Sequence, residues 1–131
     1  MLLGFKSRFE RLVESGAKRH SFRGDRKVPP RVGEICHCYV NPRQKSMRLL
    51  GRWRCSKVQA AKLLPDLLRS DRMFVFIDGQ ELTADEADQL FFADGFQEAW
   101  PGRYPYLAQA VAFWSGRLPF TGYLIHWEWR L

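Results

Sequence analysis

The stretch FKSRFERLVESGAKRHSFR, residues 5–23, combines a helix pattern with a strand pattern that follows it directly. Apolar residues at positions 5, 9, 12 and 13 recur at helical spacing, which predicts a helix over residues 6–15 with one apolar face. Gly16 suits the left-handed position that ends a helix. Residues 19–23 then alternate basic and apolar side chains, which is typical of a half-buried strand.

Outside this stretch, the pattern adds strands around two further helices. Strands are predicted over residues 2–5, 35–40, 47–58 (with a bulge at Gly51), 73–77 and 123–129. In the last of these, residues 123, 125, 127 and 129 are predicted to share one face. A capping box at Thr83–Glu86 opens one helix, and residues 106–115 form another. The order favours an α+β fold, a small, mostly antiparallel β-barrel with flanking helices, since closure removes exposed strand edges.

Length and composition predict one domain over residues 1–131. Hydrophobic residues make up 46% of the chain and charged residues 27%, which is typical of a globular protein. No stretch is long and apolar enough to span a membrane, and the first residues lack a signal-peptide pattern, so we expect no membrane partner. Three cysteines cannot all pair within one chain, so reduced thiols in a cytoplasmic protein are expected.

No motif for a metal or cofactor is present, so neither is predicted. The strand Cys36-His37-Cys38 places its two sulfurs on one face and its imidazole on the other, which disfavours a shared metal ion. Phosphate-binding glycine loops and the common hydrolase motifs are also missing.

The charge is unevenly distributed along the chain. Net charge is +7, but residues 1–57 carry a balance of +11 and residues 58–131 a balance of −4. A concentration of positive charge in one half predicts a contiguous basic face and an anionic partner, with nucleic acid as the first candidate.

The residues at the end of the predicted first helix resemble the hallmark of the ASCH family, small PUA-like barrels that bind RNA or modified bases. That hallmark reads Gly-x-Lys-x-x-[Thr/Ser]-x-Arg, and Gly16, Lys18, Ser21 and Arg23 stand here at the same spacing. Three further segments resemble the family, namely residues 32–34, 93–96 and 123–129. The resemblance covers nearly the whole chain and implies an ASCH/PUA-like domain of bacterial or phage type.

One branch of this family hydrolyses 4-acetylcytidine, and the resemblance places its catalytic residues at Lys18, Ser21 and Asp94. Serine stands where that branch has threonine, and aspartate where it has glutamate. In this mechanism Ser21 attacks the amide carbonyl, Lys18 acts as the base and Asp94 orients the lysine. Burial and neighbouring arginines would lower the pKa of Lys18, whereas Asp94 would raise it. A charged Lys18 would bind an anion instead.

Several other residues are candidates for ligand binding in the same cleft. Arginines and lysines can hold phosphates, and aromatic rings can stack on a base, although such aromatics and histidines are also common in protein cores. The candidates are Arg19, Arg23, Tyr39, Arg43, Lys45, Arg48, His126 and Trp127.

The sequence is therefore compatible with three functions. The first is binding of RNA or a modified nucleoside in a basic cleft beside Lys18. The second is hydrolysis of an N-acylated nucleoside. The third is a protein-interaction adaptor whose aromatic C-terminal half binds a partner or forms a homodimer. Loss of Ser21 separates the first two, because only hydrolysis requires its hydroxyl.

Overall fold

The computed structural model describes all residues, 1–131. The elements in chain order are β1 (Leu2–Phe5), a 3-10 turn (Ser7–Phe9), α1 (Glu10–Ser15), β2 (His20–Gly24), β3 (Ile35–Val40), β4 (Arg48–Pro65), β5 (Met73–Ile77), β6 (Gln80–Glu81), α2 (Ala84–Asp94), α3 (Pro105–Trp114), a second 3-10 turn (Ser115–Arg117) and β7 (Phe120–Arg130). None of the helices combines the length and apolar character that a membrane crossing requires.

The first helix is shorter than its pattern predicts. Residues 7–9 form a 3-10 turn, and the α-helical part begins only at Glu10. Gly16 ends it as expected, with a φ of 83° and its N–H donating to the carbonyl of Val13. Two residues later, the amide of Lys18 donates to the Leu12 carbonyl at 2.8 Å, so the chain turns sharply from α1 into β2.

The seven strands form one mixed sheet that is curled into a half-barrel, so the fold is α+β. β4 lies at its centre, with β3 and β5 along one edge and β7 along the other. β1 pairs in parallel with β3, and all other pairs are antiparallel. β2 pairs with β7 alone, so its opposite edge is free, and Arg23 of β2 reaches the Gly4 carbonyl of β1 at 2.8 Å.

β4 is longer than predicted and carries the predicted bulge. It continues to Pro65 because residues 61–65 pair with β5 while Ala61 and Leu63 are buried. Cys38 lies opposite Gly51 and Tyr39 opposite Leu49, so one extra residue of β4 is accommodated at this point. A Cβ on Gly51 would lie 2.5 Å from the Trp53 ring, which explains the glycine.

The last strand is buried on both of its faces. Leu124, Ile125 and Trp127 are all 1% exposed or less, although Leu124 lies on the face opposite the other two. Leu124 lies opposite Phe22 of β2, and Phe22 stacks on Phe91 of α2 at 5.6 Å. One face of β7 is therefore covered by the helices and the other by the interior of the half-barrel.

The capping box and the cysteines agree with the prediction. The Thr83 side chain accepts from the Glu86 amide, and the Glu86 carboxylate accepts from the Thr83 amide, so α2 begins where its sequence indicates. Cys36, Cys38 and Cys55 are buried, and none of them forms a disulfide. Burial raises the pKa of Cys36 and Cys38 to about 12, so they pack as small neutral side chains.

Candidate active site

A cavity of about 350 Å³ lies at the opening of the half-barrel. Its walls come from β1, the free edge of β2, the end of α2, the end of α3 with its 3-10 turn, and the start of β7. The volume lies at the lower end of the range for small-molecule sites, about 300–1,000 Å³. Lys18, Ser21, Arg23 and Asp94 all line it, so the structure brings the three predicted catalytic residues to one place.

Lys18 and Asp94, separated by 76 positions, form an ion pair beside this cavity. The Lys18 ammonium donates to the Asp94 carboxylate and, at 2.7 Å, to the Asp94 carbonyl. Lys18 is 3% exposed and Asp94 is 5% exposed. The ammonium also lies 5.1 Å from the centre of the Phe9 ring, so the pair is removed from bulk water.

Gly95 places Asp94 at this position. It has a φ of 114°, which ends α2 directly after Asp94 and turns the chain away. A Cβ at Gly95 would lie 2.8 Å from the Phe9 ring, so only glycine lets the end of α2 approach the 3-10 turn that precedes α1. The sequence Asp94-Gly95 thus determines both the position of the carboxylate and its access to Lys18.

The electrostatics of the pair follow from burial. Burial lowers the pKa of Lys18 below its ordinary value, and the nearby Asp94 opposes this shift without reversing it. Burial alone would raise the pKa of Asp94, but Lys18 and His20 lower it below its ordinary value. The carboxylate is therefore ionised at neutral pH, and the pKa of the lysine is moved in the direction that proton transfer requires.

His20 is a neighbour of the pair that the sequence did not identify as a site residue. Its Nε2 lies 3.3 Å from the same Asp94 oxygen that binds Lys18, and it makes no hydrogen bond there. Its ring meets the His126 ring edge to face at 5.5 Å. His20 and Phe22 are two residues apart on β2 and therefore lie on the same face, which the helices cover. This spacing is the one sequence signal that could have indicated that His20 approaches Asp94.

Ser21 and Arg23 interact directly. The Arg23 Nε donates to the Ser21 Oγ at 2.9 Å, and the Arg23 Nη2 donates to the Gly4 carbonyl of β1 at 2.8 Å. The guanidinium lies 4.7 Å from the centre of the Phe5 ring, and its burial lowers the pKa of Arg23 to about 10. Arg23 therefore spans the opening between β1 and β2 and positions the serine hydroxyl.

The predicted contiguous basic face is not what the structure shows. Arg19 lies outside the cavity and lines a separate concavity with Trp53 and Trp129, where its Nε donates to the Gly16 carbonyl. Arg48 is also elsewhere, because it pairs with Glu10 and Glu14 of α1. Those carboxylates satisfy its charge.

Other candidates from the sequence are placed on other surfaces. Arg43 and Lys45 are exposed in the connection between β3 and β4, and neither lines the cavity. Tyr39 is half-buried on the β3 face opposite Cys38 and also lies outside the cavity.

Trp127 and His126 are structural residues here. Trp127 is fully buried and packs edge to face against Phe5 at 5.9 Å, so its ring is not available to a ligand. His126 bonds through Nε2 to the Gln59 amide oxygen at 2.7 Å. Burial, with His20 and Lys57 nearby, lowers the pKa of His126 to about 4, so it is neutral at physiological pH.

Two cations that the sequence reasoning missed line the cavity. Lys6 follows β1 directly, and Arg117 lies in the 3-10 turn after α3. Lys6 is not among the apolar positions of the predicted first helix, and Arg117 belongs to the acidic half of the chain, so neither charge pattern nor motif singled them out.

No group of three or more histidine, cysteine, aspartate or glutamate side chains has a geometry that could hold a metal ion. Comparison of the chain with known protein families, curated proteins and solved structures gives no match. Its function is therefore inferred from the geometry of the cavity.

Proposed function

We propose that this protein binds an N-acylated nucleoside in the cavity beside Lys18 and hydrolyses the amide bond. The observation that carries the proposal is the meeting of Lys18, Ser21 and Asp94 around one cavity, each 6% exposed or less. Such polar groups are costly to bury, and functional sites are where that cost is commonly found. The resemblance to 4-acetylcytidine amidohydrolases of the ASCH family suggests the substrate class.

The proposed reaction follows the roles of the three side chains. Ser21 Oγ attacks the carbonyl carbon of the amide while Lys18, in its neutral form, accepts the hydroxyl proton. The C–N bond then breaks, the proton passes to the leaving amine, and the acyl group stays on Ser21. Water attacks this ester, releases the carboxylic acid and restores the serine. Burial supports this role because it lowers the pKa of Lys18.

Arg23 and Asp94 act by positioning. The Arg23 Nε bond to Ser21 Oγ fixes the hydroxyl and favours the negative charge that develops when its proton leaves. The Asp94 carboxylate and carbonyl both accept from Lys18, which fixes the direction of its nitrogen. These contacts pre-organise the site before any ligand enters.

A second candidate is binding of a modified nucleoside or RNA segment without hydrolysis. The direct contact between Asp94 and Lys18 favours it, because a carboxylate at this distance stabilises the charged lysine. The adaptor hypothesis has less support, since Phe91, Phe96 and Trp127 of the aromatic C-terminal half are fully buried.

Turnover of 4-acetylcytidine by the parent and by Ser21→Ala tests the proposal. We expect the parent to release cytidine and acetate, and S21A to fall to the no-enzyme rate with nucleoside affinity within about twofold, because the hydroxyl acts mainly in the transition state. Ser70→Ala is the matched control, since Ser70 is exposed in the β4–β5 connection. Ser21→Thr should keep activity.

The assay also separates the two candidates. A parent protein that binds 4-acetylcytidine but does not hydrolyse it above the no-enzyme rate would overturn the hydrolase proposal and favour the binding module. Equal turnover by S21A and the parent would exclude Ser21 as the nucleophile.

A further inference from the structure

Positively charged side chains outnumber carboxylates in the lining of the cavity. Lys6, Lys18, Arg23 and Arg117 line it, whereas Asp94 is the one carboxylate among the lining residues. Lys18 and Asp94 neutralise each other, and the donors Nε and Nη2 of Arg23 are bound to Ser21 and Gly4. Arg23 keeps its positive charge, but it is half-buried and held by Ser21 and Gly4, so the exposed positive charge of the lining lies on Lys6 and Arg117.

Lys6 and Arg117 converge on one aromatic side chain of the cavity wall. The Lys6 ammonium lies 5.0 Å from the centre of the Phe113 ring, and the Arg117 guanidinium carbon lies 4.5 Å from the same centre. Arg117 also lies 4.5 Å from the Trp114 ring and donates from Nη2 to the Phe113 carbonyl at 2.9 Å. Cation–π contacts thus place both cations at the wall of the cavity.

Neither cation has a carboxylate partner. All ion pairs within 4 Å involve other groups, and both Lys6 and Arg117 are exposed. Arg8 also lies 5.8 Å from the centre of the Phe113 ring, so three like charges lie near it, and an anion bound there would reduce their repulsion. Four of the five N–H donors of Arg117 are not used in its bond to the Phe113 carbonyl, three on Nε and Nη1 and one on Nη2. Several free donors suit an oxyanion that accepts more than one hydrogen bond.

We propose that Lys6 and Arg117 bind a phosphate attached to the ribose of the ligand. This inference rests on the proposed function for the nucleoside part of the ligand and names its substrate class. The natural ligand is then a phosphorylated nucleoside, either a free nucleotide or a nucleoside within an oligonucleotide, rather than the neutral nucleoside. The acylated base lies beside Lys18 and Ser21, and the phosphate lies at the mouth beside the Phe113 ring.

Equilibrium binding to the S21A protein, which cannot turn the ligand over, tests this proposal. The probes are 4-acetylcytidine, its 5′- and 3′-monophosphates, and a pentanucleotide with 4-acetylcytidine at its centre. We expect a monophosphate or the pentanucleotide to bind at least about tenfold tighter than the nucleoside, with an affinity that falls as salt rises. A preference for a monophosphate indicates a free nucleotide, and a further gain with the pentanucleotide indicates an RNA segment.

The double substitution Lys6→Gln and Arg117→Gln should abolish this preference and leave nucleoside affinity within about twofold. Arg43→Gln with Lys45→Gln is the matched control, because it removes the same charge from an exposed loop outside the cavity. Equal affinity for nucleoside and phosphorylated probes in the S21A protein would overturn the proposal, as would a preference that survives the added K6Q/R117Q change.

The outcomes distinguish this inference from the proposed function. Phosphate preference without hydrolysis by the Ser21-containing parent would keep the inference and reject the hydrolase. Hydrolysis with no phosphate preference would keep the hydrolase and reject the inference. Failure of all probes to bind would reject both.

Discussion

Two ion pairs in this protein involve the same chemistry in opposite surroundings. Lys18 and Asp94 meet at the cavity with side chains that are 3% and 7% exposed. Arg48 meets Glu10 and Glu14 on the surface, where the side chains are 33–48% exposed. Both hold the start of the chain against a distant element, but water screens only the second strongly.

The buried pair is expected to affect the stability of the fold strongly, and the exposed pair only slightly. Two charges that leave water lose much of their hydration, so a buried ion pair is stable only while both partners are present. The surface pair keeps most of its hydration and competes with salt. The pair with the large desolvation penalty therefore lies at the cavity, and the pair with the small one lies elsewhere. This placement favours a functional reason for Lys18 and Asp94.

The largest expected effect comes from breaking the buried pair on one side. Asp94→Ala leaves the Lys18 ammonium without its counter-ion, and we expect the free energy of unfolding to fall by about 3–5 kcal/mol. The double change Lys18→Met with Asp94→Leu should recover most of this loss, because no charge is then buried. Urea denaturation measures both variants. Equal destabilisation by the single and double changes would show that the charge is not the cause.

The second expected effect is a pH dependence that belongs to the buried pair. Because the pKa of Asp94 is lower in the folded protein than in the unfolded chain, its stabilisation is complete above about pH 3.9 and is lost as pH falls through the folded pKa. The slope for this one proton is at most about 1.4 kcal/mol per pH unit. Parent and Lys18→Met/Asp94→Leu proteins, compared by urea denaturation from pH 5 downward, should diverge with this sign. Parallel curves would contradict it.

The smallest expected effect comes from the surface pair. Arg48→Gln should change Tm by no more than about 4 °C at low ionic strength, and the difference should vanish near 1 M salt, where the Debye length is about 3 Å. Thermal unfolding at two salt concentrations measures it. A shift as large as that of Asp94→Ala would mean that exposure does not separate the two pairs.

Parts of the fold could be predicted because they depend on neighbours in sequence. The end of α1 at Gly16, the capping box of α2 and the strand Met73–Ile77 follow from local backbone chemistry and side-chain spacing. The end of β4 was missed, because residues 59–65 become strand only through pairing with β5 and β7. Long-range pairing of this kind leaves a weak local pattern.

The chemical types of the site can be read from the sequence: a lysine just before β2, a hydroxyl and an arginine on β2, and an Asp-Gly step at the end of a helix. Which charges meet depends on the tertiary structure. The curl of the sheet brings Lys18 to Asp94 and places Lys6 and Arg117 against Phe113, while it buries Trp127 and pairs Arg48 with α1. Electrostatic interactions depend on distance and burial in space, and neither can be read from the order of residues alone.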